Sequence, residues 1–204
     1  MKSAIFASLI AATAAFAPAQ QQATSTSLAA FEDVLGSQPP LGFFDPLGLV
    51  EDGDQEKFDR LRFTELKHGR VCMLAFLGQI TTRYGIHLDG NIDKAGNSFD
   101  SFPNGWAAIQ GPDAIPGFGL VQIIAFVGFL EIAVMKDIPG TGNEHIGDFR
   151  NGLAQGWNWE KYTEEEKLFK RAIELNNGRA AMMGTLGLMV HEQLGGSVPF
   201  VGEL

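Results

Sequence analysis

Long apolar-rich stretches alternate along the chain with segments broken by Gly, Pro and charge. The middle stretch, residues 118–135, is apolar or glycine throughout except for Gln122 and Glu131. A helix of that length matches a hydrocarbon core about 30 Å thick. The apolar runs at 71–80 and 180–190 are too short to span alone. Each lies in a longer Pro-free segment, so helices of about thirty residues are expected, long enough to cross when tilted. Their N-terminal halves carry Arg, Glu and His, which need neutralising if they enter lipid.

Punctuation residues set the boundaries. Asp54 offers an N-cap to a first helix over 54–84, with Gly85 as its stop. The second helix is expected over 118–137, ending before Pro139. Thr163 and Glu166 form a capping box that opens a third helix over 163–194, stopped by Gly195-Gly196. Residues 90–117 and 140–159 read as loops, and Phe44-Asp45-Pro46-Leu47-Gly48-Leu49 as an ordered approach to the first helix. The fold class expected is an all-α membrane protein with three transmembrane helices.

Charge placement supports the three crossings. Lys57, Arg60, Arg62 and Lys67 open the first helix, Lys136 and Arg150 follow the second, and Lys161, Lys167, Lys170 and Arg171 surround the start of the third. The opposite ends hold only Arg83 and Lys94, with nothing basic after Arg179. Three crossings bring every basic cluster to one face, as the positive-inside bias requires. A net charge of −9 argues against a nucleic-acid partner. Cys72 is the single cysteine, so no disulfide forms within the chain; it reads as a buried, inert thiol.

The first and third helices share a repeat. Arg62-x-x-Glu65-Leu66-x-His68-Gly69-Arg70-x-x-Met73 matches Arg171-x-x-Glu174-Leu175-x-Asn177-Gly178-Arg179-x-x-Met182, and Leu77-Gly78 matches Leu186-Gly187. Within one helix, Glu and Arg five apart diverge by roughly 140° and pair poorly. Across a pseudo-two-fold pair, Glu65 reaches Arg179 and Glu174 reaches Arg70. Embedded charges are costly unless paired, so the expectation is two helices crossed and locked by Glu-Arg ion pairs. Gly69 and Gly178 allow their close approach.

Beside each bridge stands a lone oxygen or nitrogen donor: Glu65 with His68, and Glu174 with Asn177. Such donors suit a metal that wants one axial ligand, as the magnesium of chlorophyll does. Here the chain resembles the light-harvesting chlorophyll proteins, whose paired signature motifs are similar to Glu65-x-x-His68-x-Arg70 and Glu174-x-x-Asn177-x-Arg179. The resemblance covers nearly all of 31–204, including the Asp45 loop, the middle helix and Val190-His191-Glu192-Gln193. Its loop and third-helix wording is similar to fucoxanthin chlorophyll a/c proteins of diatom-type algae.

The resemblance implies a non-enzymatic antenna that binds chlorophyll a, chlorophyll c, fucoxanthin and a diadinoxanthin-type carotenoid and passes excitation to a photosystem. It implies Glu65, His68, Gln122, Glu131, Glu174, Asn177 and His191 as axial magnesium ligands, with Gln79 a weaker candidate. For Glu131, pairing with Lys136 is the alternative. Asp45 and Asp148, in loops before helices one and three, are implied near carotenoid ends; turn capping is the alternative. His87 and His145 read as solvated. Implied partners are thylakoid membrane lipids, other antenna subunits in a homo- or hetero-oligomer, and a photosystem I or II core. The implied location is the thylakoid membrane, with a stromal N-terminus.

Residues 1–30 read as a leader. Lys2 and the apolar run from Ala4 to Ala15 form a signal peptide, followed by a transit-like stretch without acidic residues or arginines. With Phe16 at the junction, it resembles the bipartite leader of algae with secondary plastids; an ordinary secretory leader is the alternative. Two further functions stay open: a photoprotective, energy-quenching member of the same superfamily and, more remotely, a di-iron carboxylate enzyme. The second needs another Glu-x-x-His, where the third helix has Asn177.

Overall fold

The computed structural model describes residues 31–138, 140–141, 143–151, 159–195, 197–198 and 202–203. The expected leader, and the stops Pro139 and Gly196, lie outside them. The chain divides into two compact units at Asp54 and Gln55. In the first, Phe31 is buried and stacks on Phe43 with ring centroids 6.2 Å apart. Its turn over residues 45–50 closes on the Asp45 carboxylate.

The second unit holds three long helices. Helix α1 is Gln55–Arg83. It ends in a left-handed Gly85 (φ +73°), whose N–H bonds Thr82 O at 3.0 Å while that of Ile86 bonds Thr81 O at 3.2 Å. That double closure satisfies carbonyls a helix end otherwise leaves bare. Helix α2 is Gly117–Phe129, continued by a wider turn over Leu130–Val134 that closes with Met135 N–H on Leu130 O at 2.7 Å. The helix therefore stops short of residue 137: after the wide turn Met135 (φ −91°, ψ 44°) leaves helical geometry.

Helix α3 is Glu164–Leu194, and its capping box is formed. Thr163 N–H donates to Glu166 Oε2 at 2.9 Å, and Glu166 N–H to Thr163 Oγ1 at 3.3 Å. Short 3₁₀ turns at Phe99–Ser101, Gly105–Ala108 and Trp159–Lys161 punctuate the loops. A two-residue ladder, Ser197–Val198 antiparallel to Gly202–Glu203, adds a small strand pair that hydrophobic periodicity did not suggest.

The main packing is α1 against α3, and its centre is a pair of glycines. A Cβ on Gly69 would lie 2.9 Å from Gly178 Cα, and one on Gly178 would lie 3.0 Å from Gly69 Cα. The backbones touch, which only glycine permits. These two hold equivalent places in the repeat, 109 residues apart, and so do Arg83 and Glu192, which meet at 3.2 Å. Equivalent residues thus meet at two levels about 21 Å apart along the helices, so α1 and α3 run parallel.

Glu192 does more than pair. Its Oε1 also accepts the backbone N–H of Trp106 at 2.8 Å, tying the 3₁₀ turn to the end of α3. Outward, α1 exposes Val71, Leu74 and Leu77, and α3 exposes Met183, Leu186 and Val190. Helix α2 is the barest: its window Gly117–Val134 has a mean hydropathy of 2.1 and none of it is buried. Among the described residues it is the one helix apolar and long enough by composition alone to cross a membrane.

Candidate functional site

The Glu and Arg residues of the repeat lie around the glycine contact. Arg70 Nε donates to Glu174 Oε1 at 2.6 Å, and Arg179 Nε to Glu65 Oε1 at 2.7 Å. Charge-assisted bonds of this length are the strong class. The two halves then diverge. Arg62 Nη1 donates to Glu65 Oε2 at 2.6 Å, so Glu65 holds two guanidiniums. Its counterpart Arg171 turns away to Asp148 and Glu144, each at 3.4 Å, and lies over the Trp159 ring. Arg70 also fastens the loop before α3, since its Nη1 donates to Gly147 O at 2.7 Å and its guanidinium stacks on Phe149.

The single donors face outward. His68 is exposed on α1, and its Nδ1 lies 2.8 Å from Thr64 O. Only an Nδ1–H can bond a carbonyl, so in the neutral ring that contact puts the lone pair on Nε2. Asn177 is exposed at the equivalent place on α3, and His191 is exposed in that helix's last turn. Glu65 and Glu174 each engage Arg, yet every carboxylate oxygen keeps a further lone pair. Gln122 is exposed on α2. The Gln79 carbonyl faces Arg83 Nε at 3.4 Å, so that amide is engaged within its own helix.

Glu131 departs from the expected alternative. It pairs with Lys67 of α1, not with Lys136, whose backbone carbonyl accepts from Asn151 Nδ2 at 2.7 Å. His87 is half-buried against Asp100 at 2.9 Å, so it is not the freely solvated residue expected; His145 is exposed.

Both loop aspartates cap turns. Asp45 accepts the N–H groups of Leu49 at 3.0 Å and Val50 at 2.9 Å. Those donors, Val50 foremost, hold its carboxyl below the usual range. Burial pushes Asp148 up, but the Arg150 hydrogen bond at 2.6 Å and the Arg150 and Arg171 charges outweigh it, leaving its pKa lowered. With folded-state values below the unfolded ones, both turns gain stability above the ordinary Asp range and lose it only at stronger acidity.

No three His, Cys, Asp or Glu side chains converge on a metal-sized space among the described residues. The donors stand singly beside exposed apolar surface. They fit a metal whose other positions are filled by its own macrocycle, and not a cage of protein ligands. Three contributions escaped sequence reasoning: Lys67, Glu192 and the turning of Arg171. Signals existed for two of them. An acid in a helix's last turn opposes the dipole and so wants a partner, and Lys67 stands where the repeat has Asn176.

Residues 31–193 match the family model described as chlorophyll A-B binding protein. The chain is 70% identical to a fucoxanthin-chlorophyll a-c binding protein, chloroplastic, of Trieres chinensis, over 100% of both chains. It is 62% identical to fucoxanthin-chlorophyll a-c binding protein A of Phaeodactylum tricornutum, covering 97% of this chain and 99% of that one. Against protein B of Macrocystis pyrifera the identity is 49%, over 90% and 82% respectively.

Proposed function

The chain belongs to the chlorophyll A-B binding protein family, and from that premise we propose that it is a light-harvesting antenna binding chlorophyll a, chlorophyll c and fucoxanthin. It is a pigment scaffold and not an enzyme. A diadinoxanthin-type carotenoid completes the set. Bound pigments absorb blue-green light and pass excitation toward a photosystem I or II core. The observation that carries this reading is the reciprocal pair of Glu–Arg contacts around Gly69 and Gly178, with single donors facing outward beside them.

The protein's own work is to hold, space and orient. Glu65, His68, Gln122, Glu131, Glu174, Asn177 and His191 would each hold one chlorophyll through a single oxygen or nitrogen donor to its magnesium. Crossed ion pairs hold α1 and α3 at a fixed separation, and thereby set the spacing of the pigments they carry. Asp45 and Asp148 rigidify loops against which carotenoid end groups rest.

The membrane arrangement is three crossings with a stromal N-terminus in the thylakoid. Support comes from direction: α1 and α3 run parallel, so the chain must travel back between them, and α2 is apolar enough to do so in lipid. Residues 1–30 are a signal plus plastid transit peptide, and 31–204 the antenna domain. Lipids and other antenna subunits, in a homo- or hetero-oligomer, cover the exposed apolar faces.

A fluorescence excitation spectrum of the purified protein tests this function. Chlorophyll c and fucoxanthin bands feeding chlorophyll a emission are expected; a colourless preparation, or one carrying iron, overturns it. At the level of one site, His68→Leu is expected to remove a single chlorophyll and leave the fold intact. Pigment extraction against polypeptide concentration measures this, and an unchanged stoichiometry removes His68 from the ligand set.

A further inference from the structure

We propose that Lys67 is the positioning counter-ion of the α2 pigment site: it neutralises Glu131 and steers that carboxylate so that one oxygen takes the ammonium and the other faces a chlorophyll magnesium. The inference rests on the proposed role of Glu131 as an axial ligand.

Glu131 is the lone charged residue in the window Gly117–Val134. A carboxylate there is costly in lipid unless a cation accompanies it. The cation comes from another helix: Lys67 Nζ donates to Glu131 Oε2. The contact is built on both sides. Lys67 Nζ lies over the rings of Phe63 at 5.6 Å and Phe149 at 5.2 Å. Phe63 and Phe149 themselves meet edge to face, with centroids 6.0 Å apart. On α2, Glu131 lies within the wide turn Leu130–Val134. Wide turns of this kind are frequent at functional positions.

Charge allocation on α1 and α3 agrees. Arg62 and Arg179 serve Glu65, and Arg70 serves Glu174, so Lys67 is the α1 cation assigned to the middle helix. The repeat breaks at that place: α3 carries Asn176 where α1 carries Lys67. The middle helix carries one acid and takes its cation from α1, so the lysine is needed in one copy of the repeat. A carboxylate has capacity for both partners, because Oε1 remains when Oε2 is bonded to the ammonium.

The test is reconstitution of the full mature chain with chlorophyll a, chlorophyll c and fucoxanthin, counting chlorophyll per polypeptide and recording difference absorption spectra. Glu131→Ala and Lys67→Met are each expected to lose one chlorophyll, with the same missing band. Lys67→Arg keeps it. The double variant Lys67→Met/Glu131→Gln, a neutral amide donor with no charge to balance, is expected to regain it. A Lys67→Met protein with its full complement overturns the inference, and so does a double variant still lacking that chlorophyll, which would make Lys67 a tether only. If Glu131→Ala retains every chlorophyll, it is the ligand assignment of Glu131 that falls.

Discussion

Leucine in place of Gly69 is expected to abolish recovery of pigmented protein. A Cβ there would come within 2.9 Å of Gly178 Cα, and the obstacle is backbone, which no rotamer change can clear. Overpacking against movable side chains costs about 1–3 kcal/mol, and a backbone clash at the centre of a crossing exceeds that. Separating the helices also lengthens the Arg70–Glu174 and Arg179–Glu65 contacts on either side. Gly69→Ala is expected to be intermediate, with lower yield and a lower melting temperature. The check is the yield of the pigmented band after refolding with pigments, followed by thermal loss of its visible circular dichroism. Wild-type yield from Gly69→Leu would mean the backbones do not touch.

The ion pairs give the second large effect, and it is unequal. Arg70→Leu is expected to be far more damaging than Arg179→Leu, although the two occupy equivalent places. Removing Arg179 leaves Glu65 with Arg62 at 2.6 Å. Removing Arg70 strips Glu174 of its cation, because Arg171 is turned toward Asp148 and Glu144. It also frees the Gly147 carbonyl and the face of Phe149. In the proposed membrane setting, a charge left without its partner costs about 3–5 kcal/mol, enough to prevent assembly. At Glu65, the retained second cation reduces that cost to roughly the 1–3 kcal/mol of a charged hydrogen bond. Melting temperatures and chlorophyll content of the two variants measure the difference; equal losses would refute the unequal sharing of cations.

Much of this arrangement is legible in the residues alone. Gly85, Thr163 with Glu166, and Gly195 mark their helix ends because caps are local chemistry, written within a few residues. The crossed pairs are legible for another reason: a repeat with acid and base five apart leaves each acid facing its partner helix's base. What escaped depends on which faces meet. Lys67 and Glu131 are 64 residues apart, and nothing local says that α2 approaches that side of α1. The wide last turn of α2 is likewise a choice of hydrogen-bond register that its apolar side chains do not encode. Arg171 matches Arg62 in sequence, but the loop carrying Asp148 offers it a nearer acid. The clamp between Arg83 and Glu192 could have been read, since it obeys the repeat's own spacing, yet its hold on Trp106 could not.

The separation of the crossed partners along the chain constrains how the molecule is made. Glu174 lies 104 residues beyond Arg70, and Arg179 lies 114 beyond Glu65. While the chain is emerging or threading, α1 holds Glu65 with Arg62 of its own helix, but carries Arg70 before the acid that matches it exists. On the proposed membrane reading an unmatched Arg70 is costly in lipid, and contacts this distant in sequence form late. In the proposed three-crossing arrangement the charge on Arg70 is matched only once α3 arrives, so a chain truncated before α3 leaves that guanidinium without its acid.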